Sequence, residues 1–428
     1  MRAAHPAVAA YPSLLLNPAA TLMGVPISPA QSARVAYGLR YLIPILILLV
    51  TLHYIRSFSL DGSYYSQVQS WRTGPASAKL SQPLGSASTS DLVDLLSERL
   101  GNDSVAGVTP ENPVRANAVI VMLVRNSEVN DAALAIMQLE DRFNHKYNYP
   151  WVFLNDEPFN ERFIQRTSQL TSGNVSYGIV PEQHWKQPAW IDEDRARDGR
   201  NRLMAQGIIY GGSVSYRNMC RFNSGFFYRH ELLKPYRYYW RVEPGVKYFC
   251  DIDYDPFLMM QEQGKVYGYT ISLYEWGQTI ATLWDTVKDF IRDHPEHLAE
   301  NNSMSFISND GGKSFNLCHF WSNFEIADMD FWRGPAYSAF FDYLEKTGGF
   351  YYERWGDAPV HSIAASLFAR RDQVHFFRDI GYRHDPFQRC PQGQYHQQGK
   401  CWCDPTDNFD YRPNSCVRRW EDMQAGKL

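Results

Sequence analysis

A continuous apolar segment in the first half of the chain constrains the fold more than any other feature. Ala118–Val124 reads AVIVMLV, a pattern typical of a strand buried on both faces of a parallel sheet. Ser127 is expected to cap a following helix, and Pro150–Leu154 (PWVFL) reads as the next strand. The apolar face of that helix is predicted to comprise Val129, Ala133, Ile136, Met137 and Phe143. These elements together predict a β-α-β unit and therefore an α/β fold.

The residues directly after the first strand are candidates for ligand binding, because such sheets bind ligands beyond the carboxyl ends of their strands. Arg125 and Asn126 occupy this position. Arg125 suits contact with a nucleotide, although a solvated loop accounts for both residues equally well. Neither GxGxxG nor GxxxxGK[ST] occurs in the chain, so no dinucleotide or P-loop fingerprint supports the assignment.

A turn inside the aromatic stretch Tyr216–Glu275 is a candidate metal site. Aromatic β-formers alternate with arginine up to Glu243-Pro244-Gly245, and an exposed carboxylate beside a Pro-Gly turn suits a divalent cation. Asp251, Asp253 and Asp255 follow at a spacing of two, which predicts one face of a strand and a second candidate cation site. A hairpin with solvated acids is the alternative.

Composition narrows the class of protein. The 428 residues allow two average domains or one large α/β domain with extra segments. A net charge of −4 and a pI near 6.3 provide no basic footprint, so nucleic acid is not an expected partner. The 27 Tyr, 24 Phe and 12 Trp residues suit either a packed core or stacking on sugar rings.

The seven cysteines include a C-terminal cluster of Cys390, Cys401, Cys403 and Cys416. Zinc is one interpretation, but Cys401-x-Cys403 is tighter than the usual C-x₂₋₄-C spacing. Disulfides of undetermined connectivity are the preferred prediction, and Cys220, Cys250 and Cys318 are expected to be buried or paired. The odd count leaves at least one thiol unpaired within the chain or paired with another chain.

The N-terminal region is predicted to anchor the chain in a membrane. Residues 1–34 form the expected cytoplasmic tail, since they contain arginine but no acid. The apolar run Tyr41–Ile55 is short for a bilayer, and extending it to residues 35–56 gives the predicted signal anchor. A cleaved signal peptide fits less well because the run lies far from Met1, and a buried soluble helix is disfavoured by Pro44.

Residues 57–115 are predicted to form a lumenal stem, because their Ser, Gly, Thr and Gln content cannot support a buried core. The remaining residues, 116–428, form the predicted catalytic domain. Three glycosylation sequons begin at Asn102, Asn174 and Asn301, and they are usable only if these segments are lumenal.

Five separated motifs resemble one family of enzymes. They are RNMCRFNSGFFYRHELLKPYRYYWRVEPGVKYFCDIDYDPF, YNYPWVFLNDEPF, HFWSNFEIADMDFWR, FYYERWGDAPVHSIAASLF and HFFRDIGYRHDPFQRCP. These segments are similar to the fungal Golgi α-1,2-mannosyltransferases of glycosyltransferase family 15, over roughly Ala116 to Cys416. The resemblance implies a GT-A-like fold, in which a Rossmann-type mixed sheet with flanking helices forms a single large catalytic domain. It also implies a Golgi membrane protein with a lumenal catalytic domain.

The same resemblance implies the activity and the site residues. Mannose would pass from GDP-mannose to the 2-hydroxyl of a mannoside on a glycoprotein or glycolipid, with Mn²⁺ and with retention. Glu243 and His384 correspond to the metal ligands, so Asp251-Ile-Asp253 is the less favoured metal motif. Glu325 corresponds to the proposed nucleophile, with Asp328 and Asp330 as nearby alternatives. The expected substrate-binding residues are Arg125, Tyr216, Arg241, Asp357 and His361. Asp357 and His361 would either hold the acceptor mannose or align the site by hydrogen bonds, and Trp355 is a weaker candidate for sugar stacking.

The predicted chemistry explains these residue types. A divalent cation would neutralise the charge that gathers on a diphosphate leaving group, and an arginine fork suits phosphate oxygens. Retention requires a carboxylate nucleophile or a shielded same-face attack. Two alternatives remain at this stage: a mannoside hydrolase using Glu325 and Asp357, and a non-catalytic mannose-binding lectin.

Overall fold

The structure is a computed structural model that describes residues 114–428. The predicted tail, the predicted anchor and nearly all of the predicted stem lie outside these residues. The described residues lie within one compact unit. Within residues 114–428, every helix is too short or too polar to cross a bilayer.

Twelve strands form a large mixed sheet and two small sheets. Their bounds are β1 Ala118–Leu123, β2 Trp151–Asn155, β3 Val175–Ile179, β4 Tyr238–Arg241, β5 Lys247–Tyr248, β6 Tyr267–Tyr269, β7 Ser272–Tyr274, β8 Cys318–Phe320, β9 Glu325–Asp328, β10 Val374–Phe376, β11 Tyr382–His384 and β12 Phe387–Arg389. The large sheet has the order β10-β6-β9-β4-β1-β2-β3, and β9 runs antiparallel to both of its neighbours. The small sheets are β12-β11-β5 and β7-β8.

Helices cover both faces of the large sheet. Their bounds are α1 Val129–Leu139, α2 His145–Tyr147, α3 Glu161–Ser168, α4 Glu182–Trp185, α5 Glu193–Ala205, α6 Val214–Gly225, α7 Pro256–Glu262, α8 Leu283–Asp293, α9 Met304–Ile307, α10 Met329–Arg333, α11 Pro335–Thr347, α12 Gly349–Tyr352, α13 Asp357–Phe368, α14 Gly393–Gln398 and α15 Val417–Gln424. Val119 and Val121 of β1 pack into one core, whereas Ala118, Ile120 and Met122 pack into the other. The predicted mixed α/β sheet with flanking helices is confirmed.

The start of the first helix differs from the prediction. Ser127 lies inside a 3₁₀ turn, Asn126–Glu128, and α1 begins only at Val129 without a side-chain cap. Met137 is exposed, whereas Ile136 is buried. The inward-facing stripe also includes residues such as Leu139, and Met137 lies about 100° around the helix from Ile136. Its assignment to the apolar face was therefore wrong.

The aspartates after the Glu243 turn do not share a strand face, because β5 ends at Tyr248. Asp251 accepts a hydrogen bond from Arg142 at 2.5 Å. Asp253 accepts one from Lys146 at 2.6 Å. Asp255 caps α7, accepting from the backbone N–H groups of its first turn. The second candidate cation site is therefore a set of ion pairs and a helix cap.

The cysteines form three disulfides, Cys250–Cys401, Cys318–Cys416 and Cys390–Cys403. Disulfide bonding of the C-terminal cluster is thereby confirmed, and the zinc interpretation fails because all four of its thiols are consumed. Cys220 is the one free thiol among residues 114–428, and it is buried. The Cys318–Cys416 bond fastens β8 to the residue that precedes α15.

Candidate active site

The core of the site lies where β4 ends and β9 begins. Because β9 runs antiparallel to β4, its first residue, Glu325, pairs in register with Arg241, the last residue of β4. The two side chains meet at the carboxyl edge of the sheet, with Arg241 Nη1 3.9 Å from Glu325 Oε1. Glu325 is only 1% exposed, and Arg241 is also buried. A charged pair of this kind requires further partners to offset its desolvation.

Arg241 obtains those partners from two further carboxylates. Its Nη1 donates to Asp357 Oδ2 at 2.5 Å, and its Nη2 donates to Glu243 Oε1 at 2.6 Å. Burial by itself would raise the pKa of Asp357, but the charge of Arg241 outweighs it and holds that pKa below its usual value. One guanidinium therefore organises three acids of the site.

Helix α13 positions Asp357 at its first residue. Ser322 Oγ donates to Asp357 Oδ2 at 2.7 Å, so the carboxylate is held from two sides. His361 follows one helical turn later and thus lies on the same face of α13. This spacing brings His361 towards Glu325.

Buried polar groups surround the Glu325 carboxylate. Tyr239 donates to its Oε1 at 2.7 Å and Tyr267 to its Oε2 at 3.1 Å. His361 Nδ1 lies 3.0 Å from Oε2, and His361 Nε2 lies 3.1 Å from the carbonyl oxygen of Asn223. His361 therefore bridges the Glu325 carboxylate and the backbone of α6.

His361 is fully buried and stacks on Trp332 with ring centroids 4.4 Å apart. Of the two expected roles of His361, this position fits alignment of the site through Glu325 and does not fit direct contact with a sugar. Trp355 is also fully buried, and its indole donates to Glu353, so it is not a stacking surface. Glu325, His361 and Trp355 are thus enclosed by the protein. The less deeply buried members of the cluster are Arg241, Asp357 and Glu243.

The candidate metal ligands are brought together by a different sheet. Strand β5, just after Glu243, pairs with β11, which ends at His384. His384 Nε2 lies 3.3 Å from Glu243 Oε2. His384 Nδ1 donates to the carbonyl oxygen of Asp385 at 3.1 Å, so Nε2 is the ring nitrogen that would ligate a metal once it gives up the proton it shares with Glu243.

Glu243 and His384 stabilise each other's charged forms. Desolvation opposes ionisation of Glu243, but Arg241 and His384 lower its pKa to about 2. Burial lowers the pKa of His384, and the hydrogen bond and charge of Glu243 more than reverse this, so the net pKa is raised. Both side chains are partly exposed. A carboxylate oxygen and an imidazole nitrogen that converge at a partly open position fit Mn²⁺.

Arg125 contacts the start of α6, the helix that contains Tyr216. Arg125 Nη2 donates to Ser215 Oγ at 2.8 Å, which ties the end of β1 to this helix. The backbone N–H of Tyr216 donates to Ser213 Oγ, the N-cap, and the Tyr216 ring lies under the Arg354 guanidinium at 5.1 Å. The structure therefore places both predicted substrate-binding residues at the same edge of the sheet as Arg241.

Several residues of the site were not predicted from the sequence. They are Tyr239, Tyr267, Ser322 and Arg354. Tyr239 was recoverable, because it lies two residues before Arg241 on the same strand and so shares its face. Ser322 lies three residues before Glu325 and Arg354 three residues before Asp357, but only the tertiary structure brings Ser322 to Asp357. Tyr267 comes from a separate strand, β6.

Comparison with known proteins identifies the family. A family model described as "Glycolipid 2-alpha-mannosyltransferase" matches residues 92–425. The chain belongs to the glycolipid 2-alpha-mannosyltransferase family. Glycolipid 2-alpha-mannosyltransferase 2 of Candida albicans is 53% identical over 312 residues, covering 73% of this chain and 68% of the relative. The alpha-1,2 mannosyltransferase KTR1 of Saccharomyces cerevisiae is 53% identical over 310 residues, covering 72% and 79%.

Two solved structures of mannosyltransferases share the fold of this family member. Core-mannan synthase A (CmsA/Ktr4) of Aspergillus fumigatus, in an Mn/GDP form, superposes with a TM-score of 0.69 and 43% identity, covering 74% of this chain and 87% of that one. Ktr4p of S. cerevisiae, in complex with GDP, gives a TM-score of 0.69 and 39% identity, covering 72% and 81%. The predicted fold and family are thus confirmed.

Proposed function

We propose that this chain transfers mannose from GDP-mannose to the 2-hydroxyl of a mannoside, with Mn²⁺ and with retention of the α configuration. The proposal depends most on one observation. The Glu243–His384 pair adjoins the Arg241–Asp357–Glu325 cluster at the carboxyl edge of the sheet. Related mannosyltransferases of the same fold are solved with GDP, and one of them with Mn.

Glu243 and His384 would hold the metal. When bound, Mn²⁺ neutralises the charge that develops on the diphosphate leaving group. Arg241 keeps Glu243 ionised, because Nη2 donates directly to its carboxylate. Arg125 lies at the end of β1 with its guanidinium on Ser215, where it suits phosphate oxygens of the nucleotide.

Asp357 is suited to accept a hydrogen bond from the acceptor hydroxyl. Its lowered pKa keeps the carboxylate ionised at neutral pH, so it can accept a hydrogen bond from the sugar. A mannoside hydrolase with Asp357 as its general acid would need a raised pKa there, which is opposite to the direction of this shift.

Glu325 contributes negative charge beneath the reacting centre. Arg241 and Tyr239 lie against its Oε1, and the carboxylate is 1% exposed. Covalent attack would require Arg241 to move away from it. We therefore favour same-face attack by the acceptor, with Glu325 stabilising the positive charge that develops at the anomeric carbon.

The deciding experiment is mannose transfer by the purified full-length chain to methyl α-mannoside, with Mn²⁺ or with chelator, and with the product linkage read by NMR. An α-1,2-linked disaccharide formed only with Mn²⁺ supports donor, metal, retention and linkage together. Release of free mannose from a mannoside without GDP-mannose would support the hydrolase. Sugar binding that is undiminished in Glu325→Ala, with no turnover, would support the lectin.

We further propose that the domain works in the Golgi lumen, as a single-pass type II protein anchored by residues 35–56. Three disulfides among residues 114–428 suit an oxidising compartment. Asn174 and Asn301 are exposed sequon asparagines on the folded surface. Fluorescence microscopy of the tagged chain tests the location. The change in electrophoretic mobility on enzymatic deglycosylation, measured for wild type, Asn174→Gln and Asn301→Gln, tests whether the domain is lumenal. A cytosolic signal and no shift in any form would contradict it.

A further inference from the structure

Two histidines and a glutamate meet just beyond the end of α8. His294 Nδ1 lies 3.4 Å from Glu296 Oε1, and His297 Nε2 lies 3.9 Å from the same oxygen. The three ligand atoms all lie within 4.8 Å of one another. The ligand atoms of a tetrahedral zinc ion are about 3.3–3.4 Å apart, so a small movement of the exposed Glu296 side chain completes the geometry.

The backbone of this turn is held by hydrogen bonds at both histidines. The N–H of His294 donates to the carbonyl oxygen of Phe290 at 2.8 Å and closes the last turn of α8. Pro295 begins the 3₁₀ turn Pro295–His297, and its ring restricts φ at that position. The N–H of His297 donates back to the carbonyl oxygen of His294 at 3.3 Å. Because the turn is already formed, little backbone entropy is lost when it binds a metal.

Phe290 supports both imidazole rings from the protein side. It is fully buried and packs against Phe340 and Phe368, with ring centroids 5.2 and 5.8 Å away. The His297 ring stacks on it at 6.1 Å, and the His294 ring lies 5.0 Å from it. The two imidazole rings also stack on each other, with centroids 5.8 Å apart. The hydrophobic core therefore helps to set the directions in which both imidazoles point.

The surroundings of this group suit a cation. The side chain of Glu296 is 62% exposed and that of His294 is 38% exposed, so solvent reaches the ligand atoms. The group follows the C-terminus of α8, an 11-residue helix whose last carbonyl groups carry partial negative charge. Arg292, the cation in the last turn of α8, is paired with Asp289 and Asp293. Its charge is thus partly offset before a metal binds.

The ligand set and the position of the group both separate it from the proposed Mn²⁺ site. Two imidazole nitrogens and one carboxylate oxygen suit Zn²⁺, which binds such groups more tightly than Mn²⁺ does. Phe368, which packs against Phe290, is the last residue of α13, whereas Asp357 is its first. These two ends of the helix are about 16 Å apart.

We propose that His294, Glu296 and His297 form a zinc site, with water as the fourth ligand. Zn²⁺ stabilises the folded chain by binding it in preference to the unfolded chain, which does not hold the three ligands together. The N–H of Ala299 donates to the carbonyl oxygen of Leu367 at 2.9 Å, so the bound metal also secures the contact of this turn with the end of α13. The zinc site is independent of the transferase function proposed above.

The test is a calorimetric titration of the full-length chain with Zn²⁺, after chelator treatment and without a polyhistidine tag. His384→Ala is the background, because it removes a ligand of the proposed Mn²⁺ site, where Zn²⁺ can also bind. About one Zn²⁺ is expected to bind each His384→Ala chain. Adding His297→Gln or Glu296→Gln should weaken this binding at least about tenfold.

Melting temperatures separate metal binding from folding. Without Zn²⁺, Glu296→Gln should melt within about 1 °C of its parent, since the side chain is mostly exposed. Excess Zn²⁺ should raise the melting temperature of the parent by at least about 2 °C and leave that of Glu296→Gln unchanged. His396→Gln is the matched control with unchanged binding, because Cys390 and Cys403 beside His396 are joined in a disulfide.

Three results would overturn the zinc site. They are an absence of Zn²⁺ binding in both wild type and His384→Ala, an unchanged affinity when His297→Gln and Glu296→Gln are added, and loss of binding in His396→Gln instead. Each is read from binding alone, so the outcome does not depend on mannose transfer.

Discussion

Arg241 and Glu325 are register partners on two antiparallel strands, with the guanidinium Nη1 3.9 Å from the carboxylate Oε1. The strand that ends in Arg241 runs into the Glu243 turn, and the strand that begins with Glu325 enters the core. The pairing of β4 with β9 therefore joins the candidate metal ligand to the buried acid through a single arginine.

Replacing Arg241 is expected to cost both stability and activity. Arg241→Ala would leave Glu325, Asp357 and Glu243 near one another without their shared cation. The free energy of unfolding should therefore fall by about 3–5 kcal/mol. Arg241→Lys keeps the charge, but one ammonium group cannot reproduce the fork, so transfer should still fall. Chemical denaturation and initial rates measure the two effects.

The control for Arg241 is Arg197→Ala, which breaks an exposed pair with Asp194. That change is expected to leave the free energy of unfolding close to that of wild type, because exposed ion pairs contribute little. An Arg241→Ala protein as stable as Arg197→Ala would contradict the role of Arg241 as the organising cation.

Metal dependence should distinguish Glu243 from the literal DxD sequence. Glu243→Gln and His384→Ala are each expected to reduce Mn²⁺-dependent transfer at least about a hundredfold, because each removes one of the two converging ligands. Asp251→Asn should leave it unchanged, since Asp251 is engaged by Arg142 at 2.5 Å. Mn²⁺ titrations followed by electron paramagnetic resonance measure binding directly. Loss of Mn²⁺ binding in Asp251→Asn alone would reverse the assignment.

His361 should affect catalysis without affecting sugar affinity. Its Nδ1 lies 3.0 Å from Glu325, and the ring is fully buried. His361→Asn is expected to lower kcat about ten- to a hundredfold, the equivalent of one lost hydrogen bond to a charged group. The KM for the mannoside should remain within about twofold. A raised KM with an unchanged kcat would instead indicate direct contact with the acceptor.

Stability should fall in acid partly because of His375. Desolvation, supported by the charge of Lys265, lowers the pKa of His375 to about 4. Between its ordinary value near 6.5 and about 4, the unfolded chain binds a proton that the folded protein does not, so stability decreases as the pH falls through this window. The contribution is about 2 kcal/mol after allowance for partial exposure.

Thermal unfolding from pH 7 to pH 4 measures this effect. His375→Gln cannot gain a proton, and its melting temperature should therefore vary less steeply with pH than that of wild type. His294→Gln, at an exposed histidine, is the matched control. Identical slopes for His375→Gln and wild type would show that other groups set the acid sensitivity.

Local patterns in the sequence were sufficient to predict the strand Ala118–Leu123. The seven consecutive apolar residues that begin at Ala118 indicate burial on both faces of a sheet. They were not sufficient for the Asp251–Asp255 segment, where the spacing of two suggested a strand. Two distant partners, Arg142 and Lys146, and the helix cap at the start of α7 decided its structure instead. Spacing describes a side-chain direction only if the backbone is already a strand.

The sequence by itself determined the family, the α/β class and the disulfide-bonded C-terminal segment, since each of these depends on residue types and their order along the chain. Only the tertiary structure decided that His361 lies behind Glu325 and that Arg241 joins three acids. The contacts of His361 with Glu325 and of Arg241 with Asp357 join residues 36 and 116 positions apart, and their geometry is set by strand register and helix packing, which local periodicity does not encode.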